Sequence, residues 1–119
     1  AVQIEDPEPL ADLDAIASLE GIDILFFGPA DFSHSLGVPG DFEHPRVVEA
    51  RRRVAQVARK HGKFAGTVAN PDNLEQLLDL GYTFLNIGAD VTGLNSYCRS
   101  LMEEFQKRVS GAALSNLLL

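Results

Sequence analysis

Apolar residues in this chain fall into short continuous runs that alternate with longer stretches of helical period. The runs are AVQIE at 1–5, IDILFFG at 22–28, KFAGTVA at 63–69 and TFLNIGA at 83–89. Each predicts a strand, and each precedes an amphipathic helix. After the first run, PEPLADLDAIASLE sets Leu10, Leu13, Ile16 and Ala17 on one helical face behind an early proline. After the second come a Gly/Pro-containing loop and HPRVVEARRRVAQVARKHG. There Val47, Ala50, Val54, Val57 and Ala58 repeat at helical spacing, Pro45 fits the first turn and Gly62 the C-cap. NPDNLEQLLDLG carries a short stripe of Leu74, Leu77 and Leu78. VTGLNSYCRSLMEEFQKRV carries Leu94, Tyr97, Leu101, Met102 and Phe105, expected to face inward.

Strand and helix alternating four times predicts an α/β fold of four βα units, with parallel strands joined by helical crossovers. The near-continuous ILFF run fits a sheet covered on both faces. Such a sheet is either open or part of a (β/α)8 barrel, and both architectures keep their sites at the C-terminal ends of strands. No G-x-G-x-x-G or G-x-x-x-x-G-K-[ST] motif is present, which removes the usual support for nucleotide binding. Four units without that fingerprint read as half a barrel over 1–108, followed by an apolar tail at 109–119. A strand-like run beginning at residue 1, with no lead-in, marks the chain as an expected fragment. Two open sheet edges would favour self-association or pairing with a missing half.

Composition narrows the class of partner. A net charge of −7 over 119 residues, 45% of them hydrophobic, opposes nucleic-acid binding, which needs a basic surface. A single cysteine, Cys98, allows no internal disulfide and no cysteine-based zinc site, and suits a cytoplasmic setting. No stretch approaches the ~20 apolar residues of a membrane span, and the first residues lack a basic, signal-like segment.

The candidate chemistry sits after the strands. Glu5 ends the first and Asp31 follows the second. Carboxylates on neighbouring parallel strand tips, about 4.8 Å apart, can converge, and at short range they repel unless a cation or proton joins them. A divalent ion such as Mg²⁺ suits one or two carboxylates plus water and substrate oxygens. Gln3 shares the face of Glu5 by strand periodicity. Gly28, Pro29 and Ala30 would let backbone N–H groups approach an anion without side-chain obstruction. Acids after strands are also ordinary turn formers and helix caps, as Asp6 beside a proline is expected to be, and spacing alone leaves both readings of Glu5 and Asp31 open. His34 and His44 lie in the loop after the second strand and His61 at a helix end, where each reads as a surface or capping residue. Lys60 and Lys63 read as solvated, and Cys98 as a core or interface residue.

The segments VQIED, GIDILFFGPADFSHSLGVPGDFEHP and FLNIGAD resemble the C-terminal half of the HpcH/HpaI family of class II pyruvate aldolases, over roughly residues 1–108. The G-P-A-D-[LF]-S element with an upstream Q-x-E is its most specific part, with Phe32 in place of the commoner leucine. The resemblance implies a (β/α)8 barrel with Glu5 and Asp31 as ligands to Mg²⁺, Mn²⁺ or Co²⁺. It also implies that Gln3 bonds the pyruvate end of a 2-oxo acid, whose carboxylate meets the N–H of Ala30. The implied reaction is aldol cleavage or condensation of 4-hydroxy-2-oxo acids, giving pyruvate and an aldehyde. Complete members assemble as oligomers, and their first half supplies an arginine and a histidine-centred acid/base that nothing here matches. The half-barrel by itself is therefore expected to be inactive. Two alternatives stand beside this reading: a non-catalytic half-barrel that needs a partner, and a citrate-lyase-like C–C lyase of the same superfamily.

Overall fold

In the computed structural model the apolar runs form the expected strands: β1 (Val2–Ile4), β2 (Ile24–Phe27), β3 (Phe64–Ala69) and β4 (Tyr82–Ile87). The structure describes residues 1–109, so all but the first residue of the expected 109–119 tail lie outside it. The helices are α1 (Leu13–Ser18), entered through a 3-10 turn at Glu8–Asp12, then α2 (Pro29–Ser35), α3 (Pro45–Lys60), α4 (Leu74–Leu80) and α5 (Asp90–Arg108). The chain divides into two units, one spanning Ala1–Ile87 and the other running from Gly88. Among the described residues no helix is long and apolar enough to cross a membrane.

The four strands are all parallel, in the order β1-β2-β3-β4. One row of the register runs Gln3, Phe26, Gly66, Phe84, and the next runs Ile4, Phe27, Thr67, Leu85. A register shift at Ala65/Gly66 leaves Thr83 without a partner in the ladder, so Tyr82 pairs with Ala65 and Phe84 with Gly66. Such a bulge re-aims the side chains beyond it.

The core lies between one sheet face and the helices. Ile4, Leu25, Phe27, Ala65, Ala69 and Tyr82 from the strands pack with Leu13, Phe32, Leu77 and the α3 stripe of Val47, Ala50, Val54 and Ala58. Small residues on that stripe let α3 approach the sheet closely. His44 caps α3, its Nδ1 accepting from Arg46 N–H at 3.3 Å. At the other end Gly62 turns with φ +65°, Gly62 N–H donates to the Arg59 carbonyl and Lys63 N–H to the Ala58 carbonyl, a Schellman closure. Buried Tyr82 donates its hydroxyl to the Arg51 carbonyl at 2.8 Å, and burial raises its phenol well above the ordinary value.

Two expectations are corrected. Helices cover one face of the sheet, not both: Phe64, Val68 and Phe84 on the opposite face are 59%, 43% and 49% exposed. An unbroken apolar run signals that both faces want cover, and the helices of the Ala1–Ile87 unit supply only one. None of α5 is buried, and Leu94, Tyr97 and Phe105 are more than three-fifths exposed. A single helix cannot bury its own apolar stripe. Cys98 on that helix is likewise exposed.

Candidate active site

Strand periodicity turns Ile4 into the core and sends Gln3 and Glu5 to the uncovered face. Beside them β2 ends and Gly28 extends the ladder, its N–H donating to the Ile4 carbonyl at 3.0 Å. Gly28 has φ −96°, so its backbone would admit any residue. What it supplies is room. A Cβ there would lie 3.2 Å from Gln3 Nε2, 3.2 Å from Glu5 Cβ and 3.6 Å from Glu5 Oε2. The bare backbone of Gly28 thus lets the Gln3 amide and Glu5 carboxylate rest beside it across the strand gap.

Pro29 opens α2, where its missing N–H costs nothing. The Ala30 and Asp31 N–H groups fall in the first turn, which has no intrahelical acceptors for them. Asp31 lies in that turn, yet the cap of α2 is Gly28 and no side chain caps it. Among the described residues the Asp31 side chain has no hydrogen-bonded partner, whereas that of Asp6, the acid read as structural, accepts from Ser35. Buried Ser33 holds α2 in place, donating to the Ala30 carbonyl at 2.8 Å and accepting from Gly40 N–H at 3.0 Å. Phe32 packs on Phe27 with ring centroids 5.2 Å apart, which fixes the inward face of the same helix.

A cavity of about 450 Å³ opens at these strand ends, within the range of small-ligand sites. Gln3, Phe26, Gly28, Pro29, Ala30 and Asp31 line one side of it. Of the expected site residues only Glu5 is off its lining, and it adjoins the cavity across Gly28. None of the three histidines lines it. His44 is the α3 cap. His61, with Lys60, binds Asp14 at 2.8 and 2.6 Å. The Lys60 hydrogen bond first, and then that of His61, holds the Asp14 carboxyl below its ordinary value.

Other lining residues were not anticipated from sequence, among them Arg51 on α3, Asn70 and Asn73 in the loop after β3, and Gln76 on α4. The signal was available for Arg51, which follows Val47 by four residues and precedes Val54 by three, on the buried stripe of α3. It is 7% exposed, the one charged residue among the described residues that is buried.

Residues 1–96 match the HpcH/HpaI aldolase/citrate lyase family. The chain belongs to this family. Among HpcH/HpaI relatives it is 40% identical over 106 residues to a hydroxypyruvate/pyruvate aldolase of Pseudomonas aeruginosa, covering 88% of this chain and 40% of that protein. It is 36% identical over 107 residues to a 5-keto-4-deoxy-D-glucarate aldolase of Shigella boydii, covering 89% of this chain and 42% of the relative. The crystal structure of an HpcH/HpaI aldolase from Desulfitobacterium hafniense superposes with a TM-score of 0.81 at 31% identity, over 92% of this chain and 42% of that one. The chain therefore spans about two-fifths of the length of these relatives. Its α/β architecture is that of a partial barrel, which accounts for the one-sided cover of the sheet: helices pack outside a barrel and strands close its interior.

Proposed function

We propose that these residues form the metal- and pyruvate-holding side of a class II aldolase site, which cleaves or forms 4-hydroxy-2-oxo acids to give pyruvate and an aldehyde. The observation that supports it most is the convergence of Gln3 and Glu5 over Gly28, next to an Asp31 that neither caps its helix nor pairs within the fold.

The donor set fits a hard divalent ion. Among the described residues no three or more His, Cys, Asp or Glu gather as a metal cluster. Two carboxylates on adjacent strand tips suit Mg²⁺, Mn²⁺ or Co²⁺, which complete their shells with water and substrate oxygens. Glu5 and Asp31 would hold the ion, which when bound supplies Lewis acidity to the 2-oxo group. Gln3 offers its amide N–H to the substrate's oxo or carboxylate oxygen. The first-turn N–H of Ala30 meets the carboxylate, with no side chain on Gly28 in the way. These donors are fixed before substrate arrives, so they stabilise charge developing on the pyruvate half without reorganising. The arginine and acid/base expected of a complete member belong to the remainder of the barrel. Those further strands close over the uncovered Phe64, Val68 and Phe84 face.

The test uses the complete protein, assayed for pyruvate release with added Mg²⁺, Mn²⁺ or Co²⁺. Glu5→Ala and Asp31→Ala are each expected to lower kcat/KM by about a hundredfold or more, while circular dichroism and Tm stay near wild type. Turnover close to wild type in either variant, or full activity in chelator, would sink the assignment.

A further inference from the structure

Apart from Tyr82, the buried polar side chains among the described residues are Ser33, Arg51 and Thr67. Ser33 and Arg51 tie down loop backbone, at Gly40 N–H and at the Phe42 carbonyl. Thr67 acts elsewhere. It stands between buried Ala65 and Ala69 on the core-facing row of β3, and it pairs in register with Phe27. That row calls for an apolar residue. Valine has nearly the shape of threonine, is as much at home in a strand and costs nothing to bury. What threonine adds is a hydroxyl, and this one donates to the Phe27 carbonyl at 2.9 Å.

The acceptor belongs to the last peptide of β2, the one joining Phe27 to Gly28. The other end of that peptide is the Gly28 N–H, which donates to the Ile4 carbonyl at 3.0 Å. One peptide plane is thus held from both neighbouring strands, by β1 backbone on one side and by a β3 side chain on the other. Beyond it lies the first turn of α2, closed by Phe32 N–H on the Gly28 carbonyl at 3.0 Å. Pro29 fixes its own φ, so the backbone freedom between the clamped peptide and that turn is confined to Gly28, a residue that tolerates many conformations. The set of the Phe27–Gly28 plane therefore carries directly into the places of Ala30 and Asp31 on the cavity lining. Thr67 borders the same cavity but is 2% exposed, and its proton is committed to the fold.

We infer that Thr67 is a positioning residue for the pyruvate-holding donors: by fixing the Phe27–Gly28 peptide it sets where the first turn of α2 presents Ala30 and Asp31. The inference rests on the aldolase reading of the strand tips and adds to it a residue that acts through backbone, without touching substrate.

The test measures Mn²⁺-dependent exchange of the pyruvate methyl protons in D₂O, in the complete protein, over a range of pyruvate concentrations. Thr67→Val is expected to raise KM for pyruvate by about three- to tenfold, with kcat changed by less than about twofold, the pattern of lost binding that is common to ground and transition states. Thr67→Ser, which keeps the hydroxyl, is expected to return KM to near the wild-type value. Tyr82→Phe serves as the control for stability alone, because it also removes a buried hydroxyl-to-carbonyl bond, at the first residue of β4. It is expected to lower Tm and leave KM unchanged. An unchanged KM in Thr67→Val, no rescue by serine, or an equal rise in Tyr82→Phe would each overturn the positioning role while leaving the aldolase reading in place. Absence of metal-dependent exchange in wild type would overturn the aldolase reading, and the positioning role with it. Should Thr67→Val fail to fold, Thr67→Cys decides, since a thiol is a weak donor of similar size: a raised KM is expected, and a wild-type KM refutes the inference.

Discussion

Replacing Gly28 by alanine isolates the geometry of the strand tips from their chemistry. The new methyl group would stand 3.2 Å from Gln3 Nε2 and 3.2 Å from Glu5 Cβ, inside the ~3.5–4.0 Å optimum for such contacts. Gln3 Nε2 ends a flexible side chain and can swing aside. Glu5 Cβ is tied to the backbone just beyond β1 and must retreat by a few tenths of an ångström, carrying its carboxylate with it. Overpacking costs about 1–3 kcal/mol, and loss of glycine's freedom in the unfolded chain returns about 0.4–1 kcal/mol because φ −96° suits alanine. The net change in stability is about 0–2.5 kcal/mol by those figures, and Tm of the complete protein should fall by about 0–10 °C. Catalysis is less forgiving, since misplacing a site group by about 1 Å can cost a hundredfold. The expected result for the complete protein is therefore a tenfold or greater fall in kcat/KM for pyruvate release, with weaker Mn²⁺ binding by titration calorimetry. A Gly28→Ala enzyme with wild-type Mn²⁺ affinity and turnover would show that the approach of Gln3 and Glu5 to this backbone has no bearing on the site.

Two further expectations concern the framework. At Gly66 an added Cβ would sit 2.8 Å from Phe26 and 3.1 Å from Phe84, the two rings that meet edge to face with centroids 6.3 Å apart. Gly66→Ala should therefore destabilise by about 1–3 kcal/mol in a denaturant titration, and an unchanged midpoint would contradict the packing described. Asp14 is held charged in the fold by Lys60 and then His61, so its contribution is in place above the ordinary carboxylate range and is lost as pH falls through its lowered folded value. Asp14→Asn should flatten the fall of Tm below about pH 4; a profile parallel to wild type would show that the cluster contributes nothing there.

Much of the fold is legible because its signals are local. The α3 helix is written in its period, in Pro45 at its start and in Gly62 at its end, and the structure closes it at that glycine. The one-face placement of Gln3 and Glu5 follows from a strand's period of two. Other readings went astray where a pattern states a need without naming what meets it. The apolar stripe of α5 asks for cover that the helix cannot give itself, and the run ILFF asks for two covered faces where the helices of the Ala1–Ile87 unit supply one. Of the three consecutive arginines at 51–53, only Arg51 lies on the buried stripe.

The sequence by itself determined the four strands with a helix after each, their parallel pairing and the delivery of acids to strand ends, because periodicity, caps and turns act over a few residues; it did not determine α2, a helix at Pro29–Ser35 where a loop was expected. Only the tertiary structure decided that Gly28 makes room for Gln3 and Glu5 and that Asp31 is not a cap. It also brought Arg51, more than twenty residues downstream of β2, to the lining of the same cavity. Those outcomes depend on strand register and on the rotation of α3 against the sheet, which long-range packing sets and no short stretch of chain encodes.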